Sequence, residues 1–394
     1  MSSPRLSIIT PVFNGARVLR ETLDSVVAQT RHDLEYILVD DGSTDETPQI
    51  LAEYVAAYPW ITTVRIPNSG SGARPRNVGL ERAQGEYVFF LDSDDLLAPE
   101  AVDRLLEVAD DTGSDVVLCR MENFGEGTRS IPRAVFRAER RQADFIESFA
   151  YRTLGPTKLF RRSLVEEHRI RFPEGYRVGE DQPFTLRAFL LANHISAISD
   201  QVYYWVRNYA PGGDAKSASM GGQSVADDIT KNLTGIEAIR ELTLPGSRRD
   251  ILLERFMLDT FGMRVCFGAR FLKLSRDEQL QIVRRAKSAE DMWTPGLREK
   301  ADHRLRTLYT ALFAGDIDDL VKVVQRAQQN AWVLAAHRTG WRETTMYLQG
   351  RGGRAEVRVG RAIETVDTFP LTQDVHAAVV GRRVSLEAAT VSFI

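Results

Sequence analysis

Glu86-Tyr87-Val88-Phe89-Phe90-Leu91-Asp92-Ser93-Asp94-Asp95 is the stretch on which the reading of this chain turns. Its apolar run, Tyr87 through Leu91, predicts a strand buried on both faces, the pattern of a parallel sheet. The run stops abruptly at three carboxylates. Side chains alternate along an extended backbone, so Asp92 and Asp94 share one side and Ser93 takes the other. Two like charges held together repel unless a cation lies between them. Hard oxygen donors suit Mg²⁺ or Mn²⁺ better than zinc. Taken alone, the triplet is better explained by an Asp92 cap for the helix opened by Pro99, or by a solvated loop, than by a cation site. The flanking sequence decides.

Working outward, apolar runs at 6–11, 36–39, 63–66 and 115–119 predict further strands. Amphipathic segments at 18–29, 45–58, 77–83 and 99–111 predict the helices between them. Strands alternating with helices imply right-handed crossovers and a Rossmann-like α/β domain around a mostly parallel sheet. Ligands of such sheets bind at the carboxyl ends of the strands. Those ends carry Pro11 to Asn14, Asp40-Asp41, Asn68 and Asp92 to Asp94. Four polar termini on one edge predict a site.

The region 121–222 is mixed, with a helix expected at 142–151, another opened by Gly179-Glu180-Asp181, and strands at 195–198 and 202–205. A glycine-rich stretch, 207–222, reads as a mobile loop. From residue 223 the spacing turns helical, with segments expected at 224–242, 248–272, 275–286, 297–313 and 317–334. After 341 it turns to strands at 346–348, 355–359, 376–380 and 384–393. The expected organisation is therefore an α/β domain at 1–222, a helical domain at 223–340, and a β region at 341–394 that resembles the start of a β-sandwich cut from a longer protein.

The 394 residues suffice for these domains, and the net charge of −3 gives no reason to expect nucleic acid. Cys119 and Cys266 lack ligand-like neighbours and read as buried free thiols of a reducing compartment. The short polar start, Met1 to Arg5, excludes a signal peptide, and no apolar run approaches the roughly 20 residues of a membrane span. The expected location is the cytoplasm.

At the strand ends, an aspartate of the Asp40-Asp41 pair can accept from a uracil N3–H or from ribose hydroxyls, or else form a turn and helix cap. Asn68 suits a base edge, and Arg76 suits a phosphate or carboxylate. Gly70 and Gly72 lack the third glycine of a dinucleotide fingerprint. Glu180-Asp181 opens a helix whose dipole favours the ionised form. A carboxylate there can deprotonate an incoming hydroxyl, or simply complement the helix end. Arg207 and Lys216, read as part of the glycine-rich loop, can close over a departing diphosphate. His168, His194 and His303 have no partners at ligand spacing. Tyr203-Tyr204-Trp205 reads as an edge strand packed on the core rather than a sugar-stacking platform.

These residues carry a resemblance. Ser7-Ile8-Ile9-Thr10-Pro11-Val12-Phe13-Asn14, Val39-Asp40-Asp41-Gly42-Ser43-Thr44-Asp45, Arg76-Asn77-Val78-Gly79, Gly85 through Asp95, and Gly179-Glu180-Asp181 occur in the order and spacing of the inverting family 2 glycosyltransferases of GT-A fold. The chain resembles that family over its first domain. The resemblance implies a UDP-sugar donor, with Pro11, Phe13, Asp40, Asp41, Asn68, Arg76, Ser93 and Arg207 around the nucleotide and diphosphate. It implies Mn²⁺ or Mg²⁺ on Asp94 and Asp92, and Asp181 as the base with Glu180 beside it. The Gln-x-x-Arg-Trp motif of processive membrane synthases is altered here, since Gln201-Val202-Tyr203-Tyr204-Trp205 has Tyr in place of Arg.

A catalytic domain followed by helical and β parts resembles the wall teichoic acid glycosyltransferases, homotrimers joined through C-terminal parts that decorate polyol-phosphate chains. The resemblance therefore implies an oligomer, a peripheral place at the inner membrane face, and N-acetylglucosamine as the sugar. A capsule or exopolysaccharide acceptor is the alternative within the same chemistry. A sugar-phosphate nucleotidyltransferase would need a Gly-, Arg- and Lys-containing signature where this chain has Pro11-Val12-Phe13-Asn14. A non-catalytic carbohydrate-binding scaffold would be expected to lose one of Asp92, Asp94 and Asp181, and all are present.

Overall fold

The computed structural model describes residues 3–127, 129–175, 177–209, 224–266, 269–328, 353–359 and 362–368. Strands β1 (Leu6–Val12), β2 (Leu34–Asp40), β3 (Ile61–Arg65) and β4 (Tyr87–Phe90) lie side by side in the order β3-β2-β1-β4, all parallel. Helices α1 (Leu19–Val27), α2 (Thr47–Ala57) and α3 (Ala73–Arg82) make the returns. Further on come β5 (Leu96–Leu97), α4 (Ala101–Thr112), β6 (Val116–Cys119), β7 (Met121–Gly125), β8 (Leu159–Arg161), α5 (Arg162–Glu167), α6 (Asp181–Leu191), β9 (Ile195–Ile198), β10 (Tyr204–Asn208) and α7 (Val225–Leu242). The main sheet is seven-stranded, β3-β2-β1-β4-β8-β6-β9. Only β8 runs against its neighbours, antiparallel to both β4 and β6. A second sheet, β5-β10-β7, stands beside it.

Both faces of the main sheet are covered, which is why its strands read as unbroken apolar runs. Ile8 and Phe89 pack with Leu19, Leu23, Leu105 and Tyr204 in one cluster. On the other face Phe90 meets Phe160, Phe172 and Phe184 edge-on or tilted, and Phe172 stacks on Phe184 at 4.0 Å between centroids. Helix α3 approaches β1 so closely that a Cβ on Gly79 would lie 2.4 Å from Cγ2 of Ile9.

Several expectations need correction. The helix expected at 142–151 is a series of turns with a single 3₁₀ turn at Ala150–Arg152, because Gln142 (φ 52°) and Phe149 (φ 63°) take left-handed backbone that interrupts a helix. Helix α3 starts at Ala73, four residues before the expected 77–83; Pro75 is tolerated there because first-turn N–H groups have no helical acceptor. Strand β10 starts later than expected and is the central strand of its sheet, not an edge. Arg207 accordingly lies in β10, paired with Phe124, and not in a loop.

Contacts divide the chain into two compact units, 1–252 and 253–394. The expected domain boundary was 222/223; α7, opened by a Ser224–Asp227 capping box, packs on α6 and stays with the first unit. The segment expected as one helix at 248–272 runs from α8 (Ser247–Leu253), at the end of the first unit, into a π-helical stretch, Glu254–Cys266, and then α9 (Ala269–Leu272). Helix α10 (Arg276–Ala286) is opened by a Ser275–Glu278 capping box. The helix expected at 297–313 is two, α11 (Pro295–Lys300) and α12 (His303–Ala314), since Asp302 caps a new start. After Gly315 (φ 79°) α13 (Ile317–Gln328) closes a core of Leu308, Leu312, Leu320 and Val324, with Trp293 stacked on Tyr309. Strands β11 (Gly353–Val359) and β12 (Ala362–Thr368) pair antiparallel. The strands expected at 346–348, 376–380 and 384–393, the Cys266 thiol, the His303 side chain and Lys216 lie outside the described residues. Among the described residues no helix is long and apolar enough to cross a membrane.

Candidate active site

Strands β1, β2 and β3 end side by side, and their terminal loops are tied by polar contacts. Asn14 (φ 48°) accepts at Oδ1 from the Thr44 N–H at 2.7 Å, and its own N–H donates to Ser43 Oγ at 2.9 Å. Phe13, just past β1, is 51% exposed at this edge, and Pro11 precedes it inside β1. The buried Asp40 carboxylate accepts from the Ser43 N–H at 2.8 Å and pairs with Arg65 at 3.3 Å, so it shapes the turn from within. Asp41 is aimed differently. Its two oxygens accept from the N–H and Oγ of Ser69, each at 2.9 Å. Burial above all raises its pKa, against those two bonds. The exposed Asn68 donates to the Asp41 carbonyl at 2.9 Å. Gly42, at φ 76°, permits this approach, since a Cβ would lie 2.8 Å from the Asn68 nitrogen.

The β4 end is the acidic centre. Arg76, from α3, donates to Asp92 Oδ1 and to Glu180 Oε1, both at 2.8 Å, with its guanidinium over the Phe172 ring. Burial works against its charge, but Asp92 and Glu180 more than offset this and hold its pKa above the usual value. Gly72 makes the room: a Cβ there would lie 2.4 Å from an Arg76 nitrogen. Glu180 is the N-cap of α6 and Asp181 its first residue. Asp181 Oδ1 is buried without a hydrogen-bond partner among the described residues. Burial first, then the neighbouring Glu180 charge, push the Asp181 pKa up to about 6, with Arg76 opposing.

Asp94 accepts at Oδ2 from the Tyr209 hydroxyl at 3.0 Å, and burial followed by the Asp92 charge raises its pKa. Asp95 points inward, accepting from the Tyr204 hydroxyl at 2.7 Å and from the Arg207 N–H at 2.8 Å. Ser93 contributes its carbonyl to the Thr22 hydroxyl. Arg207 stacks over Phe124, donates to the Asp94 carbonyl at 2.8 Å and pairs with Glu21 at 2.9 Å. It braces the acidic turn instead of swinging over it.

Arg76, Asp92, Glu180 and Asp181 are thus brought together, with Asp94 one turn residue further on; Asp41 and Asn68 form a separate polar corner along the same edge. Ser69, Phe172, Tyr204, Tyr209 and Glu21 were not singled out from sequence as parts of this site. Only Tyr204 carried a signal, as a member of an aromatic run. His168 and His194 are exposed and stand apart from these contacts. Among the described residues no three His, Cys, Asp or Glu side chains enclose a metal by themselves.

A mostly parallel α/β sheet with an acidic pair, a buried arginine and a buried carboxylate at a helix start on its carboxyl edge defines a GT-A-like domain. Residues 7–169 match the family model described as glycosyl transferase family 2. The chain carries a domain of that family. Over 205 residues it is 38% identical to a poly(ribitol-phosphate) beta-glucosyltransferase of Bacillus spizizenii, covering 51% of this chain and 32% of that protein. Over 334 residues it is 31% identical to the poly(ribitol-phosphate) beta-N-acetylglucosaminyltransferase TarS of Staphylococcus aureus, covering 83% of this chain and 56% of that protein. The chain therefore spans between about a third and just over half of these relatives. A crystal structure of S. aureus TarS in complex with UDP-GlcNAc superposes with a TM-score of 0.74 at 26% identity, covering 93% of this chain and 99% of that one.

Proposed function

We propose that the chain is a metal-dependent inverting glycosyltransferase that moves N-acetylglucosamine from its UDP-linked donor to a hydroxyl of a polyol-phosphate glycopolymer. The relatives named for transfer to poly(ribitol-phosphate) and the likeness to TarS with UDP-GlcNAc support the donor and acceptor. The glucosyltransferase relative makes UDP-glucose the second donor to test. The observation that carries the reading is Asp181, whose buried, unpartnered oxygen and pKa of about 6 make it ionised and proton-accepting near neutrality.

In this reading Pro11, Phe13, Asp41 and Asn68 hold the nucleotide. Asp94 and Asp92 would suit a hard divalent cation, because both offer carboxylate oxygens and because burial first, and then the Asp92 charge, raise the Asp94 pKa, which a cation would offset. Such a cation, when bound, neutralises charge developing on the leaving diphosphate. Arg76 pairs with Asp92 and holds Glu180, whose charge raises the pKa of Asp181. Asp181 accepts the proton of the acceptor hydroxyl as that oxygen attacks the anomeric carbon opposite the diphosphate, so an α-linked donor yields a β-glycoside. The reading extends the resemblance to a cytoplasmic oligomer, a trimer through C-terminal parts, working at the inner membrane face. UDP release with Mn²⁺ across a panel of UDP-sugars tests it: slow hydrolysis of one sugar, abolished by a chelator, is expected. Turnover that a chelator leaves intact would remove the cation from the mechanism.

A further inference from the structure

Tyr204 is fully buried and lies on β10, the central strand of its small sheet, held between β5 (opposite Leu97) and β7 (opposite Met121). Its ring stands against Phe89, near the end of β4. The hydroxyl does two things at once: it donates to Asp95 Oδ2 at 2.7 Å and accepts from the Asp92 N–H at 3.4 Å. The turn between those residues is closed by a single backbone bond, Asp95 N–H to the Asp92 carbonyl at 3.2 Å. Asp94 lies inside that turn, and β10 also supplies the Arg207 N–H to Asp95 and the Arg207 side chain to the Asp94 carbonyl. The turn that presents Asp92 and Asp94 is therefore folded around one phenolic oxygen, fixed from a second sheet.

We infer that Tyr204 is a positioning residue that sets the relative placement of Asp92 and Asp94, and so the affinity of this pair for a divalent cation. The inference rests on the proposed cation site. The Tyr204 backbone is paired on both sides and its ring is fully buried against Phe89, so the hydroxyl has little freedom to follow the turn and acts as the fixed point. Outer partners that orient ligating carboxylates are worth about 10–100-fold in metal affinity. Removing the hydroxyl alone leaves ring packing intact while freeing the Asp92 N–H and the Asp95 carboxylate from their shared anchor.

The test is Mn²⁺ binding in the presence of UDP, read by the loss of the free-ion EPR signal, for wild type, Tyr204→Phe and Tyr36→Phe. Tyr36 is the control: it is equally buried and in the same core cluster, but its hydroxyl bonds Thr10 at 3.0 Å rather than any residue of the 92–95 turn. UDP affinity in chelator is measured alongside. Tyr204→Phe is expected to weaken Mn²⁺ about tenfold or more, with chelator-independent UDP binding unchanged, and Tyr36→Phe to match wild type in both. Wild-type Mn²⁺ affinity in Tyr204→Phe would overturn the inference while leaving the proposed function standing. Equal weakening in Tyr36→Phe, or a Tyr204→Phe chain that does not fold at any temperature, would also overturn it by making the hydroxyl a general support. No Mn²⁺ bound by wild type with UDP would defeat the cation site itself, and the inference with it.

Discussion

Arg76 and Glu180 should move the pH dependence of transfer in opposite directions. Asp181 has a pKa of about 6, which burial and Glu180 raise and Arg76 lowers. The acid limb of kcat/KM reports the ionisation of the base in the free enzyme, so wild-type activity should fall as pH drops through about 6. Arg76→Met removes the cation that favours the ionised form, and the limb should move to higher pH. A close opposite charge shifts a carboxyl by roughly 1–3 units, and since Arg76 is shared with Asp92 and Glu180 the lower end applies, about 1 unit or 1.4 kcal/mol. Glu180→Gln removes a like charge, and the limb should move down by a similar amount.

Stability separates the two further. Arg76→Met strands Glu180, only 10% exposed, at a cost of about 3–5 kcal/mol, whereas the Asp92 pair, 36% exposed, adds less than about 1 kcal/mol. Removing both charges in Arg76→Met/Glu180→Gln should recover most of that loss. The assay is initial transfer rate between pH 5 and 8 at saturating Mn²⁺, with thermal melts of the same preparations. Limbs that stay fixed, or that move together, would refute the assignment of Asp181 as the titrating base.

Other consequences are as direct. Asp181→Asn should keep UDP-sugar affinity in calorimetry and lose roughly 10²–10⁴ in kcat; wild-type transfer would remove it from the mechanism. Gly79→Ala drives a methyl into Ile9 and should destabilise the first unit by about 1–3 kcal/mol in denaturant melts without changing donor choice. Glu21→Gln breaks an ion pair whose carboxylate is 57% exposed, so donor hydrolysis and melting should stay near wild type; a large loss in either would mean Arg207 depends on that pair.

The donor half of the sheet was legible because buried parallel strands are apolar runs and their ends are short polar motifs, as at Asp40-Asp41 and Asp92 to Asp95. The roles of those carboxylates were less so: Asp40 and Asp41 are adjacent and alike in sequence, yet one closes a turn and the other meets Ser69 across the strand ends. Arg207 was misread because composition marks the glycines after it but not the parallel register with β7 that carries β10 through Asn208. The helix expected at 142–151 failed on backbone, since no residue type announced the left-handed Gln142 and Phe149. Partners supplied by tertiary packing, Tyr204 to Asp95 and Phe172 to Arg76, are separated by too much chain for any local pattern to join them.

The reversed strand β8 gives the domain a seam. Every other strand of the main sheet delivers its carboxyl end to the edge with the acidic turn, whereas β8 delivers its amino end there, so the chain enters β8 from that edge. Residues 129–158 bond to the main sheet along β9, through Arg140 to Ala197, the Ala143 N–H to the Ile195 carbonyl at 2.6 Å and the Gln142 N–H to Ser196 Oγ at 3.1 Å, and they bury Val135, Ala150 and Leu154. Those attachments fall on β9, three places from β4, so changes between them leave the β1–β4 ladders and the turn that carries Asp92 and Asp94 without a direct partner to lose. What the chain carries into β8 can thus differ between relatives while the strands that present Asp41, Asp92 and Asp94 are inherited unaltered.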